Sequence, residues 1–199
     1  MKRILGLVSL LLLSPCLLWA GEKEVTLSFS NTPLAVVLDQ YALLTGKTVL
    51  CQPGLGATVN LTSKPMPKQK AIELIELTLT MFNNFFVALD DDTMVLVSGG
   101  GYPTFPIPLI TDPKKIPPGH QLIIYQMNVR HLSRAQLSSS LQAFICGSAR
   151  LITPPDEKIL LVQAPASLVR GLLAVQDLVD VPLEQPAPNT PLPKAEKAR

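Results

Sequence analysis

Side chains able to do chemistry are scarce in this sequence. Its 199 residues hold two histidines, His120 and His131, and three cysteines, Cys16, Cys51 and Cys146. Bond-breaking catalysis needs a nucleophile or an acid–base pair held in a pocket. His120 falls in a proline-rich stretch and His131 just ahead of a helix start, places that suit surface or packing roles. Neither Cys51 nor Cys146 has a histidine near it in sequence. Asp90-Asp91-Asp92 lacks the spacing and closing Glu of a calcium loop, and reads as the solvated tip of a hairpin. Gly99-Gly100-Gly101 lacks the Lys-Ser/Thr of a phosphate loop and reads as a hinge. The expectation is a non-enzymatic protein with no metal, no cofactor and no small-molecule substrate.

What remains able to act is backbone. An exposed strand edge carries unpaired N–H and C=O groups and can accept a partner's strand. Two candidate edges stand out: Val25, Leu27 and Phe29 in the stretch Val25–Ser30, and Thr58, Val59, Asn60 and Leu61 in Thr58–Thr62. The same strands could equally serve only to build a core, and the alternation of residues looks alike for both roles.

Those strands sit in a regular order of elements. Val25, Leu27 and Phe29 alternate with Thr26, Ser28 and Ser30, the period of a half-buried strand. Asn31 and Thr32 are placed to cap a helix beginning near Pro33. Leu34, Val37, Leu38, Tyr41 and Leu44 mark its apolar face, and Gly46 is a left-handed stop. A strand begins at Thr48, Pro53–Gly56 is a turn, and Thr58–Thr62 is a short strand. In a second helix, after Pro67, Ile72, Ile75, Leu79 and Phe82 share a face, with Glu73, Glu76, Thr80 and Asn83 opposite. Residues 85–89 and 93–97 form a hairpin around Asp90–Asp92. The order is βαββαββ, a small α+β unit with both helices on its sheet.

Residues 99–120 are rich in proline and glycine and read as an extended linker. Its Phe105, Ile107, Leu109 and Ile110 suggest that part of it lies against a neighbouring unit. A second unit, 121–182, has the order βαββα. Its strand runs from Leu122 to Val129, and Ser133 caps a helix with Leu137, Leu141, Phe144 and Ile145 in phase, stopped by Gly147. Strands follow at Arg150–Thr153 and Ile159–Val162. Ser167 is a candidate cap for a last helix carrying Leu168, Leu172, Val175 and Val179. Residues 183–199, proline- and charge-rich, read as a disordered tail.

The first twenty residues have a different character. Lys2 and Arg3 precede an apolar run from Ile4 to Leu18, then Trp19-Ala20-Gly21, the plan of a secretory signal peptide over 1–20. Two alternatives stay open. Leu13-Ser14-Pro15-Cys16 has the outline of a lipidation box, with Pro15 where a small residue is expected. The apolar run also reaches the short limit for an uncut membrane anchor. Cleavage would remove Lys2 and Arg3, so the 17 basic residues would fall to match the 15 acidic ones. A neutral exported chain is poorly suited to nucleic acid, where phosphate neutralisation carries binding. In an oxidising compartment Cys51 and Cys146 could pair, or stay as two separately buried thiols.

In sequence the first unit resembles the first periplasmic domain of bacterial secretins, a type shared with the signalling domain of TonB-dependent receptors. The likeness lies in Val25–Phe29, Pro33–Leu38, Leu44-Thr45-Gly46-Lys47-Thr48-Val49 and Gly56-Ala57-Thr58-Val59-Asn60-Leu61. The second unit is similar to the KH-like domain that follows it in secretins, through Tyr125–Met127, Leu137–Phe144, Asp156–Val162, Ala164-Pro165 and Gln176–Asp180. The KH likeness raises RNA binding, but Gly147-Ser148-Ala149-Arg150 lacks the second glycine of the nucleotide clamp. The resemblance covers 25–182 and stops short of the channel-forming barrel, so no pore is expected of this stretch. It implies a periplasmic docking or assembly module of a secretin-linked export machine, such as type II secretion, type IV pilus or filamentous-phage export. The implied partners are a secretin or inner-membrane platform proteins, with a homo-oligomeric ring as a further possibility and an association with the outer membrane. The alternative is a signal-sensing module of the receptor type.

Overall fold

The computed structural model describes residues 24–99, 106–145, 147 and 149–182. Residues 1–20, read as a signal peptide, with Cys16, residues 183–199, read as a tail, and Gly100, Gly101, Phe105, Cys146 and Ser148 lie outside the described residues, and with them the expectations placed there.

The elements are β1 (Ser28–Pro33), α1 (Leu34–Thr45), β2 (Thr48–Cys51), β3 (Thr58–Thr62), α2 (Lys68–Met81), β4 (Asn84–Ala88), β5 (Thr93–Ser98), β6 (Leu109–Ile110), a 3-10 turn at Pro113–Lys115, β7 (Leu122–Asn128), α3 (Arg134–Gln142), β8 (Arg150–Ile152), β9 (Ile159–Pro165) and α4 (Ala166–Val179). The α+β class and both element orders agree with the sequence pattern, with β6 and the 3-10 turn added inside the stretch read as linker. The strands form three sheets: β1-β3, β2-β5-β4 and β6-β7-β9-β8.

Among the described residues, three of the four α-helices start on proline. Pro33, Pro67 and Pro165 sit at the N-caps with φ near −55°, and none of these helices has a side-chain cap. Proline presets the entry angle, and its missing N–H falls where no intrahelical partner exists. The expected caps Asn31 and Thr32 are therefore used elsewhere. Asn31, at φ 49°, donates its N–H to Asn60 Oδ1, and Thr32 Oγ1 accepts from Ser30 N–H. Together they form a bulge that shifts the β1–β3 register between Phe29 and Thr32. Ser133 does cap α3, through a reciprocal capping box with Gln136. Ser167 lies inside α4 rather than at its cap. Gly46, at φ 74°, closes α1 as its spacing predicts.

The sheet β2-β5-β4 separates two apolar layers, because successive strand residues face opposite sides. Phe86, Met94 and Leu96 point into a core with Leu34, Val37, Leu38 and Tyr41 of α1 and Ala71, Ile75 and Leu79 of α2. Leu27, Phe29 and Val59 close that core from the β1-β3 ribbon. Phe85, Val87, Val95 and Val97 point the other way, into a smaller cluster with Leu122 and Ile107. The second half has its own core of Ile123, Tyr125, Met127, Leu160 and Val162 against Leu137, Leu141, Val169 and Leu172.

Three side chains depart from their expected faces. Phe82 ends α2 half exposed, and Phe144 lies beyond the end of α3 and is exposed. Glu76, expected on the solvent face, is 3% exposed. Periodicity explains that last departure. Positions 72, 75, 76 and 79 follow the i, i+3, i+4, i+7 rule, so Glu76 stands within the apolar stripe.

Candidate functional site

The two candidate strand edges prove to be partners of each other. β1 and β3 pair antiparallel, with Phe29 opposite Leu61 and Ser28 opposite Thr62. Each strand has therefore given one edge to the other and kept one. The side chains of Leu27, Phe29 and Val59 are buried, Val25 and Leu61 are half-buried, and Thr58 and Asn60 are exposed. Val25 lies ahead of β1, held by an isolated bridge to Met66 in which each N–H donates to the other's carbonyl.

The outer edge of β1 can be followed residue by residue. Leu27 C=O accepts from Ser63 N–H at 2.9 Å, and Leu27 N–H donates to Ser63 Oγ at 2.9 Å. In an antiparallel ladder the next residue turns its groups the other way. Ser28 thus aims its N–H and C=O away from β3. Two residues on, the bulge at Ser30–Asn31 engages its own amides, which ends the usable edge. A short edge stopped by a bulge limits unselective strand pairing.

Among the described residues, no acid–base pair forms around the histidines. His120 Nδ1 and Ser167 Oγ share a hydrogen bond of 2.7 Å. The nearby acid, Glu76, engages the His120 backbone N–H at 2.6 Å and leaves the ring without a carboxylate orienter. His120 and Ser167 open onto an apolar cleft of about 600 Å³ lined by Leu77, Met81, Phe85 and Leu168. Among the described residues, no group of three or more His, Cys, Asp or Glu could hold a metal ion. Cys51 is a free thiol at the end of β2 and is exposed, not buried as the sequence allows, because it ends the strand beside the Pro53–Gly56 turn. No helix among the described residues is long and apolar enough to cross a membrane.

Two buried carboxylates were not singled out by sequence reasoning. Glu76 Oε1 accepts from the Tyr41 hydroxyl at 2.8 Å and from Gln121 Nε2 at 3.4 Å, while Oε2 takes the His120 N–H. Burial, then the charge of Glu76, pushes the Tyr41 hydroxyl well above its ordinary value, so it stays a donor. Asp180, just past α4, accepts N–H groups from three successive residues. Oδ2 takes Arg130 and Oδ1 takes His131 and Leu132, each at 2.8 Å. Burial disfavours its charge, but the amides of Leu132, Arg130 and His131 and the Gln176 side chain outweigh that. They hold its carboxyl at about 2. The signal for Glu76 was its place in the apolar phase of α2. For Asp180 the only sequence hint was its place at the end of the Gln176–Asp180 piece.

With the geometry described, the chain can be set beside known proteins. No protein-family model matches it. Secretin GspD 2 of Escherichia coli O78:H11 (strain H10407 / ETEC) is 24% identical over 182 residues, 90% of this chain and 26% of that protein. The chain thus spans about a quarter of the length of the curated relative it matches. A solved Klebsiella pneumoniae type II secretion system outer membrane complex, of PulD, PulS and the PulC HR domain, contains a chain that aligns with 77% of this one and 26% of itself. The identity is 16% and the TM-score 0.64, a likeness of fold. In sequence and fold, then, this chain is similar to the N-terminal domains of bacterial secretins.

Proposed function

We propose that this protein is a periplasmic docking module of a secretin-linked export machine, and that it works without catalysis. The carrying observation is the β1-β3 ribbon. Its inner side chains are locked into a core, while Ser28 presents backbone donor and acceptor groups outward. A partner strand added there would gain main-chain hydrogen bonds on a preformed template, with little ordering cost on this side. The similar Klebsiella complex contains a PulC HR domain and PulS. By analogy, the partner here is a secretin or a periplasmic domain of an inner-membrane platform protein. On this reading residues 21–98 form the docking unit, 99–120 the connection and 121–182 the second unit. On β1 the candidate contact is the backbone of Ser28; Val25, Leu27 and Phe29 flank it with their own backbone groups turned to Met66, Ser63 and β3, and Thr58, Val59, Asn60 and Leu61 lie on the companion strand.

The test is Ser28→Pro. Proline removes the outward N–H and leaves the β1–β3 bonds of Leu27 and Phe29 in place. Envelope extracts should yield a secretin or platform protein with the unaltered chain, and at least tenfold less with the variant. Recovery of neither class of partner by the unaltered chain would overturn the reading. Capture of an anti-sigma regulator instead would favour a signal-sensing module.

A further inference from the structure

Residues 117–121 join the 3-10 turn to β7 within the second half, whose sheet already includes β6, and both halves hold them. From the first half, Glu76 takes the His120 N–H at 2.6 Å and the Gln121 amide at 3.4 Å. From the second half, the Arg170 guanidinium donates to the carbonyls of Pro117, Pro118 and Gly119 in succession. Ser167 meets the His120 ring, and Ala166 N–H donates to Gln121 C=O at 2.8 Å. Every residue of the stretch is engaged. Pro117 and Pro118 have no N–H to satisfy, so their carbonyls suffice, and a planar guanidinium with five donors can serve several acceptors.

Gly119 shows how closely the stretch is fitted. A Cβ there would lie 1.9 Å from Glu76 Oε2, so only glycine lets the carboxylate reach the next amide. Beneath the polar layer lies an apolar one, in which Phe85, Val87, Val95 and Val97 of the first half pack on Leu122 and Ile107. A loose tether would require none of this. Burying a carboxylate is costly unless its partners are in place, so Glu76 favours the arrangement in which the stretch is seated.

We propose that residues 117–121 are a clasp that fixes the two halves as one rigid body, with Glu76 and Arg170 as its positioning residues. Proline in this stretch limits slack, and the two side chains grip it from opposite sides. The inference stands whether or not the docking reading does.

Amide 15N relaxation on the full chain reads it directly. The unaltered protein should show one rotational correlation time for α1 and α2 and for α3 and α4. Gly119→Ala, which displaces the Glu76 carboxylate, should give two shorter and unequal times, with the shift dispersion of both cores retained. Arg170→Ala releases the clasp from an exposed position and should separate the two times likewise, so the test survives if the first variant fails to fold. Independent tumbling in the unaltered protein would overturn the proposal. So would Arg170→Ala tumbling as the unaltered chain does.

Discussion

Glu76 and Asp180 are equally buried, each exposing 3% of its surface, yet they are satisfied in different ways. Asp180 receives three successive backbone N–H groups from the turn ahead of α3, a concave donor set built by local chain geometry. It closes the second half on itself, tying the end of α4 to the start of α3. Glu76 receives one backbone N–H, one phenol and one amide, and two of these three come from across the junction. A carboxylate inside a folding unit can rely on partners that the unit itself positions. A carboxylate at a seam depends on the seam being closed, so it reports on the arrangement of the halves.

The largest test of that contrast is Asp180→Ala. It leaves three part-buried N–H groups without their carboxylate partner and should cost about 2–3 kcal/mol in the urea unfolding of α3 and α4. Tyr41 and the first core should be unaffected. A loss below about 1 kcal/mol would show that water replaces the carboxylate easily.

Acid should separate the two sites next. Asp180 has its folded carboxyl lowered from 3.8 to about 2. Its contribution is therefore fully present above pH ~4 and lost as pH falls through ~2, amounting to on the order of 2 kcal/mol. Urea midpoints measured across that range should fall in the unaltered protein. In Asp180→Asn the slope should flatten. An unchanged slope in the variant would assign acid sensitivity to other carboxylates.

Two changes of intermediate size sharpen the comparison. Tyr41→Phe removes one donor from Glu76 but keeps the ring stacked on Phe86 at 4.0 Å, so about 1 kcal/mol is expected by thermal unfolding. Ser133→Ala removes the cap of α3, at about 1 kcal/mol. The smallest effect belongs to Arg130→Ala. Its side chain pairs with Asp177 on the surface, where the two are 58% and 63% exposed, and such pairs contribute roughly 0–0.5 kcal/mol. Its backbone N–H to Asp180 survives the change. A large loss there would mean that the side chain, and not the amide, holds the turn.

The contrast also marks what the sequence shows and what it hides. Leu34, Val37, Leu38, Tyr41 and Leu44 are all buried on α1, as their spacing predicts. The hairpin at Asp90–Asp92 and the cap at Ser133 follow from local chemistry. At Asn31 local chemistry misled: a residue well suited to capping serves a bulge, because Pro33 already sets the start of α1. At the candidate edges, alternation put Leu27 and Phe29 on one face, and both are buried. It could not reveal that β1 and β3 pair with each other, since pairing is a choice among distant strands with similar patterns.

Patterning and turn residues by themselves determined the α+β class, the order of elements and which face of α1 lies inside. Those follow from short-range sterics and from the periods of helix and strand, which neighbouring residues impose on one another. Only the tertiary structure decided which groups Glu76 meets, that residues 117–121 are gripped from both sides, and that Ser28 faces outward. Each of these depends on groups more than thirty residues apart meeting within hydrogen-bonding distance, for instance 44 between Glu76 and His120. Local periodicity carries no record of such meetings.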